Sequence, residues 1–266
     1  MICPCGGSYA ETVLREGAVT LRRCAACGLL GMDPRDPEPE GDYDEDYFQK
    51  NYVERAAHWQ RAHRYWSEHV LAGLGGPGTR MLDVGCGIGL QLSVVPPGWQ
   101  AVGLEPGQGA AENAGRLFGV KVRRQRLEEL DAAERFDVIT FFDVIEHLPD
   151  PIAALRRAAA HLAPGGALVV KVPDISARAL AAARLLARAG RARLILHTGA
   201  HLFQFDGATL DGTLRRAGLH RVAVGSHRAP YGLRGFFMKG RLSGRIARLG
   251  FTLAGLDRSL IAVARP

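Results

Sequence analysis

The chain has little lysine, a single cysteine after residue 27, no internal repeats, no low-complexity tracts and no long apolar run. A membrane-spanning helix needs about 18–20 consecutive apolar residues. None is present, and there is no charged-then-apolar leader, so a soluble, cytoplasmic protein is expected. Without a secretory signal, a disulfide framework is disfavoured for the cysteines that do occur. Two nucleotide signatures are also missing. No Gly-Lys-Ser/Thr follows the glycine-rich stretch, which removes the NTPase phosphate loop. A dinucleotide fingerprint starting at Gly85 and Gly87 would need glycine at position 90, where the chain has Leu90.

What is present suits one α/β domain with additions: 266 residues with 47% hydrophobic content can fill a sizeable core. The net charge of +7 is uneven, because residues 176–266 carry sixteen Lys/Arg against three Asp/Glu, while the remainder carries eighteen against twenty-four. Arginine in place of lysine is equally explained by a GC-rich genome, and mixed arginine faces do not by themselves make a nucleic-acid binder.

Residues Arg80–Leu90, R-M-L-D-V-G-C-G-I-G-L, carry the most information. An apolar run stops at Gly85, Gly87 and Gly89, and apolar character resumes at Leu90, which reads as a buried strand, a tight turn and a helix start. Bare backbone there lets a ligand lie against N–H groups, which implies a nucleotide-like molecule. About twenty residues on, Ala101–Pro106 is a second strand ending in Glu105, where a carboxylate can accept both hydroxyls of a ribose. Phe136–Leu148 is a third strong strand, followed by Pro149-Asp150-Pro151, and Pro164-Gly165-Gly166 turns into Ala167–Pro173. Helices at 107–118, 151–162 and 207–217 and strands at 80–84, 100–104, 120–123, 136–142, 167–172, 220–225 and 259–264 predict a doubly wound, mostly parallel seven-stranded sheet. Its ligand crevice lies at the strands' carboxyl ends.

In order and spacing, L-D-V-G-C-G-x-G, G-L-E-P, F-D-V-I-x-x-x-D-V-I-E-H-L and P-G-G-x-L-V-V-x-V-P resemble one subfamily of class I S-adenosylmethionine-dependent methyltransferases, over roughly residues 43–264. The resemblance implies a Rossmann-like domain over residues 79–266. In it Asp83, Gly85, Cys86, Gly87, Glu105, Pro106, Phe142 and Asp143 hold the cofactor, with Asp83 near its amino group. The loop after the third strand usually gives a small polar residue to the adenine. Here Gln125, Arg126 and Leu127 stand in those places, so backbone groups at Arg126 and Leu127 are expected to take that part. Residues 33–78 read as a linker followed by lid helices, from which Tyr47 and Tyr52 are the candidates to reach the ligand.

Four cysteines lie in the first 27 residues, as Cys3-Pro4-Cys5 and Cys24-Ala25-Ala26-Cys27, with Gly6, Gly7 and Gly28 allowing tight knuckles. Two short pairs eighteen residues apart can bring four thiolates to a tetrahedral zinc, although the first pair has one intervening residue where two are usual. Residues 1–32 are therefore expected to form a zinc ribbon with a small hairpin over 12–22. Four closed positions would stabilise rather than catalyse. The basic stretch from Ser176 to Arg193 reads as a helix within a cover over the substrate cleft, spanning 174–206, or as a peripheral membrane contact. His197–Asp206 resembles the family's H-L-x-x-F-(S/D) segment, with Asp206 as an N-cap.

Methyl transfer from a sulfonium is an in-line displacement that chiefly needs alignment, and a hydroxyl acceptor also needs a base. His147, after the fourth strand, is the first candidate; a structural part in capping the next helix is the competing reading. His201, on the opposing loop, is the second candidate. The expected activity is methylation of a hydroxyl, amine or carbon on a sugar, polyketide-like or lipid-linked metabolite. The alternative is a zinc-ribbon protein that binds nucleic acid or a protein partner, or modifies RNA, on the same fold. The lack of an Asn-Pro-Pro-Tyr-like segment after the fourth strand weakens a nucleobase amine substrate, and the oligomeric state is left open.

Overall fold

Two sheets organise the computed structural model, which describes residues 2–17, 19–32, 49–196, 201–228 and 258–266. The strands, in chain order, are β1 (Tyr9–Glu16), β2 (Val19–Cys24), β3 (Leu30–Met32), β4 (Arg80–Val84), β5 (Gln100–Leu104), β6 (Val122–Arg123), β7 (Phe136–Phe142), β8 (Leu162–Pro173), β9 (Phe203–Gln204), β10 (His220–Arg228) and β11 (Arg258–Arg265). The α-helices are α1 (Ala56–His69), α2 (Gln108–Phe118), α3 (Pro151–Ala160), α4 (Ala177–Ala187) and α5 (Gly207–Arg216), with a further helical turn at Arg193–Leu196.

The large sheet has the order β10-β11-β8-β7-β4-β5-β6. Its pairs are parallel from β8 to β6, while β11 runs antiparallel to both β8 and β10. This is the expected doubly wound architecture. Central strands covered on both sides need apolar residues at nearly every position, and β4 and β7 have them. On one face Leu82, Val84, Ile139 and Phe141 pack with Leu155 of α3 and Leu210 and Leu214 of α5. On the other, Met81, Val138, Phe142 and Val169 pack with Trp66 of α1. Chain order reverses between β4 and β7, so the crevice at their carboxyl ends is a topological switch point.

The helix expected after Gly89 is reduced to a 3-10 turn, Leu92–Val94, because Pro96 and Pro97 follow at once and cannot continue a helix. The Asp150-Pro151 pair does start α3: Asp150 Oδ1 accepts from the Ala153 N–H at 2.9 Å, and Pro151 fills the first turn, where no N–H is needed.

The small sheet has the order β1-β2-β3-β9, and its last strand comes from beyond β8. Leu30 pairs with Gln204 and Gly31 with Phe203, and Met32 N–H donates to the Leu202 carbonyl at 3.0 Å. The N-terminal module expected to close at residue 32 thus shares a sheet with the rest of the chain, and its hairpin is longer than the 12–22 expected. The helix α4 also departs from expectation. Its buried residues Ala179, Leu180 and Ala183 pack on Val13, Leu14, Leu21 and Leu30 of the small sheet, and Arg184 Nε donates to the Val13 carbonyl at 3.1 Å. The buried side of its apolar stripe is therefore spent on the ribbon, while Leu185 points outward at 64% exposure. Among the described residues no helix is long and apolar enough to cross a membrane.

Candidate active site

At the carboxyl end of β4 the backbone carries the site. Gly85, Gly87 and Gly89 all have positive φ, at 67°, 52° and 79°. A Cβ on Gly85 would lie 2.8 Å from Val144 Cγ2, so the turn needs glycine for space as well as conformation. Glu105, leaving β5, braces this loop: its Oε2 accepts from Gly87 N–H at 3.0 Å and its Oε1 from Gly107 N–H at 2.8 Å. Burial raises the Glu105 carboxyl above its ordinary value, and those two N–H donors oppose the shift. Each of its oxygens keeps lone pairs for a ligand hydroxyl. Pro106 is exposed beside it.

Asp83 is 3% exposed, and Thr140 Oγ1 donates to its Oδ1 at 2.6 Å. Burial, with the Glu105 charge adding, pushes its carboxyl up to about 7 against the pull of that hydrogen bond. A ligand ammonium or sulfonium would reverse this. Nearby, Gln91 Nε2 is buried without a partner. A buried acid short of a cation, an unused amide donor and a glycine cradle fit a cationic cofactor with a ribose. Cys86 N–H donates to the Leu104 carbonyl at 3.1 Å, and its thiol lies 2.3 Å from where a Cβ on Gly103 would be, so the side chain is packing.

Helix α1 closes over this loop. Gln60 Nε2 donates to Ser93 Oγ at 3.0 Å, and His63 Nδ1 meets Gln91 Oε1 at 3.1 Å. Burial, then the Lys171 charge, lowers His63 to about 4, so its ring is neutral near pH 7. Tyr52 packs with Trp59 against Ile88 and Leu90 of the glycine turn. Tyr47 lies outside the described residues. Phe142 lies under the His63 ring, with centroids 6.1 Å apart. Asp143 has φ 57°, rare for a non-glycine residue, and is held by an ion pair to Lys171. Sequence reasoning missed His63, Gln91 and Lys171; a lone lysine in the apolar strand V-V-K-V-P was the available signal.

Of the two backbone groups expected at the adenine, the one at Arg126 is engaged elsewhere, and Leu127 remains the candidate. Arg126 N–H is taken by Glu129 Oε2 at 2.6 Å, and the Leu127 side chain is 4% exposed in the main core. The Arg126 amide is therefore committed to its own 3-10 turn.

Across the cleft, the turn Ile145–His147 follows β7. The His147 and His201 rings meet edge to face with centroids 4.7 Å apart, so the two candidate bases come together. Leu202 N–H donates to the Glu146 carbonyl at 2.9 Å, tying the two segments. His147 does not cap α3, a part that Asp150 plays. Asp206 is the expected N-cap of α5, exchanging hydrogen bonds with Thr209 at 2.8 and 2.9 Å. A separate groove of about 700 Å³, lined by Arg80, Trp99, Lys121 and Arg123, opens near the amino ends of the strands, away from these groups.

In the ribbon, Cys3 Sγ lies 3.5 Å from Cys27 Sγ, and Cys5 Sγ lies 3.6 Å from Cys24 Sγ. All four sulfurs fall within 4.8 Å of one another. Sulfurs about 2.3 Å from a tetrahedral zinc stand about 3.8 Å apart, so the set fits that ion with the short first knuckle included. Gly6 at φ 84° and Gly28 at φ 77° turn the knuckles. Burial raises Cys3 and takes Cys27 up to about 11. At Cys5 the burial effect is outweighed by the Gly7 N–H and neighbouring thiols, which bring it down to about 7.

Residues 47–224 match the family described as a methyltransferase domain. The chain is 36% identical over 167 residues to a ubiquinone biosynthesis O-methyltransferase of Xanthomonas axonopodis pv. citri (strain 306), covering 57% of this chain and 67% of that protein. It is 42% identical over 102 residues to the protein of the same name from Bradyrhizobium sp. (strain ORS 278), covering 35% of this chain but only 39% of that relative's length. The solved structure of Burkholderia thailandensis 1,6-didemethyltoxoflavin-N1-methyltransferase, with 1,6-didemethyltoxoflavin and S-adenosylhomocysteine bound, superposes with a TM-score of 0.54 at 20% identity, covering 96% of this chain and 99% of that one. At that identity the likeness speaks for the fold. A match running from the lid through β10, on the strand order and glycine turn described above, means that the chain belongs to the methyltransferase-domain family, on the class I Rossmann-like fold.

Proposed function

We propose that the chain transfers a methyl group from S-adenosylmethionine to a small-molecule acceptor, with an oxygen nucleophile favoured by the relatives named for ubiquinone O-methylation. The observation that carries this reading is Glu105. Its carboxylate joins the glycine turn to the start of α2 and keeps acceptor positions for a ribose. Asp83 takes the cofactor's ammonium, and Tyr52 and α1 lie over the turn. The bound cofactor supplies a methyl on a sulfonium, whose departure leaves a neutral thioether.

The chain's own work is then alignment and proton removal. His147 and His201, paired edge to face at the end of β7, meet the acceptor hydroxyl. The four cysteines hold a structural zinc. The ribbon is not free to act as a separate nucleic-acid module, because one of its faces packs on α4 and its edge pairs with β9. Calorimetry on the wild type and Glu105→Ala tests the reading. The wild type should bind S-adenosylmethionine in the low micromolar range and the variant far more weakly; no heat and no thermal shift in the wild type would refute it.

A further inference from the structure

Tyr9 takes no part in the steps above, yet its hydroxyl is placed at a cost. It lies on β1 opposite Cys24 of β2, and its oxygen is buried without a hydrogen-bond partner of ordinary geometry. A buried O–H without an acceptor is unfavourable, so its place calls for an acceptor that forms later. The ring itself is fixed by the neighbouring strands. A Cβ on Gly31 of β3 would lie 2.5 Å from the Tyr9 oxygen and 2.7 Å from its Cζ, so β3 has glycine where the ring crosses it. Gly31 pairs in turn with Phe203 of β9, just after His201. The hydroxyl thus stands between the cysteine cluster and the seam that joins the ribbon to the cleft.

Four thiolates outweigh the charge of one zinc ion, and Cys3 and Cys24 carry theirs at only 2% and 1% exposure. Buried negative charge needs donors around it. The knuckles supply backbone N–H groups: that of Cys5 to the Cys3 sulfur, that of Gly7 to Cys5 and that of Leu29 to Cys27. Tyr9 is a further donor, and it comes from a side chain. Burial raises the Cys3 thiol, while the Cys5 N–H and then the Tyr9 hydroxyl pull it back. A thiol sulfur is a weak acceptor; a metal displaces its proton and leaves a thiolate, which is a strong one.

We propose that the Tyr9 hydroxyl donates to the Cys3 thiolate when the ribbon holds its metal, which makes Tyr9 a positioning residue between the metal and the β3–β9 seam. The inference rests on the zinc reading above. The bond does two things. It spreads the charge of the most deeply placed end of the cluster, which strengthens metal binding, and it holds the ring across Gly31, which stiffens the strand pair leading to His201. Loss of the metal therefore releases a hydroxyl as well as four sulfurs.

The test is Tyr9→Phe, which keeps the ring and loses only the O–H, in the full chain loaded with Co²⁺ or Zn²⁺. A hydrogen bond lowers the energy of the sulfur lone pair, so its loss should move the thiolate-to-cobalt charge-transfer band to longer wavelength. Zinc affinity, read by competition with a chromophoric chelator, should fall roughly ten- to a hundredfold. Hydrogen exchange at Gln204 should be quicker in the loaded variant than in the loaded wild type, and equal in the two once the metal is stripped. A tyrosine that only fills space would leave the band where it is, so a band at the wild-type wavelength overturns the proposal. Should Tyr9→Phe melt early, the wild type loaded with spin-active cadmium takes its place: coupling between the metal and the Tyr9 hydroxyl proton supports the bond, and a visible but uncoupled proton overturns it. A wild type that holds no metal at the cysteines would refute the zinc reading and this inference together. A loaded wild type whose band the variant shares would refute the inference alone.

Discussion

On one side of the cleft, at the ends of β4 and β5, the chain offers mostly backbone: a glycine turn whose N–H groups bond to Leu104 and to the Glu105 carboxylate at the end of the adjacent strand. On the other side, after β7, it offers side chains brought together from residues 146–147 and from His201, with the latter's neighbours tied to β3 of the ribbon. The first bank rests on the paired ends of β4 and β5, so few substitutions outside the central strands should reach it. The second is assembled by tertiary contacts and should respond to changes far away along the chain.

The sharpest way to break this contrast is a pair of variants. Glu105→Ala removes hydrogen bonds from a charged acceptor, each worth ~1.5–3 kcal/mol, so cofactor affinity should fall by about 10²–10⁴-fold. His147→Ala should instead lower turnover by about 10²–10⁴-fold with cofactor affinity nearly unchanged, as read by calorimetry beside a steady-state assay. If His147→Ala weakened cofactor binding as much as Glu105→Ala does, the two banks would not be separable.

A smaller effect concerns pH. Asp83 has its folded pKa raised to about 7 from an ordinary 3.8. Between those values the ligand-free folded state keeps a proton that the unfolded state releases, so Asp83 makes stability fall as pH rises through that window. A cationic cofactor binds the ionised form. Affinity should therefore rise by up to about tenfold per pH unit below pH 7 and level off above it, with a proton released on binding. Calorimetry in buffers of different ionisation enthalpy measures that proton, and Asp83→Asn should abolish its release. A pH-independent affinity between about pH 5.5 and 7 would detach Asp83 from the cofactor.

Removing zinc from the ribbon with a chelator should sharpen the comparison from the other side. Hydrogen exchange should quicken at Met32 and Gln204, along the β3–β9 pairing, and leave the amides of Gly85 and Gly87 unchanged. Equal quickening at both banks would show that they unfold as one unit. The smallest effect is expected for Asp206→Ala, which removes the N-cap of α5 and should cost about 1 kcal/mol by denaturant melting, without altering cofactor affinity.

The first bank is legible in the sequence because its logic is contiguous: an apolar strand, glycines where φ must be positive, then an acid at the end of the next strand. The Asp206 cap and the cysteine spacing are legible for the same reason. The second bank is legible only as two separate histidines. Nothing local says that His147 and His201 touch, or that Glu146 is buried between such neighbours. The partner of β3 is equally hidden, because a two-residue strand, Phe203–Gln204, carries no periodicity. The expected helix after Gly89 fails on visible residues, since Pro96 and Pro97 outweigh the apolar restart at Leu90. Helix α4 shows itself in sequence as basic and amphipathic, but its partner, the β1–β2 hairpin, lies more than 150 residues earlier.

The pairing of β3 with β9 also sets an order of events during synthesis. Residues 30–32 leave the ribosome about 170 residues before their strand partner at 203–204 exists. At ~5–20 residues per second, the ribbon waits roughly ten to thirty seconds with one edge open and Val13, Leu14, Leu21 and Leu30 uncovered by α4. An early-bound metal would hold the knuckles through that interval, while the uncovered edge would be the place where a chaperone or a second nascent chain could intervene. Translation speed across residues 33–204 thus becomes a variable in the yield of active protein, separate from the stability of the finished fold.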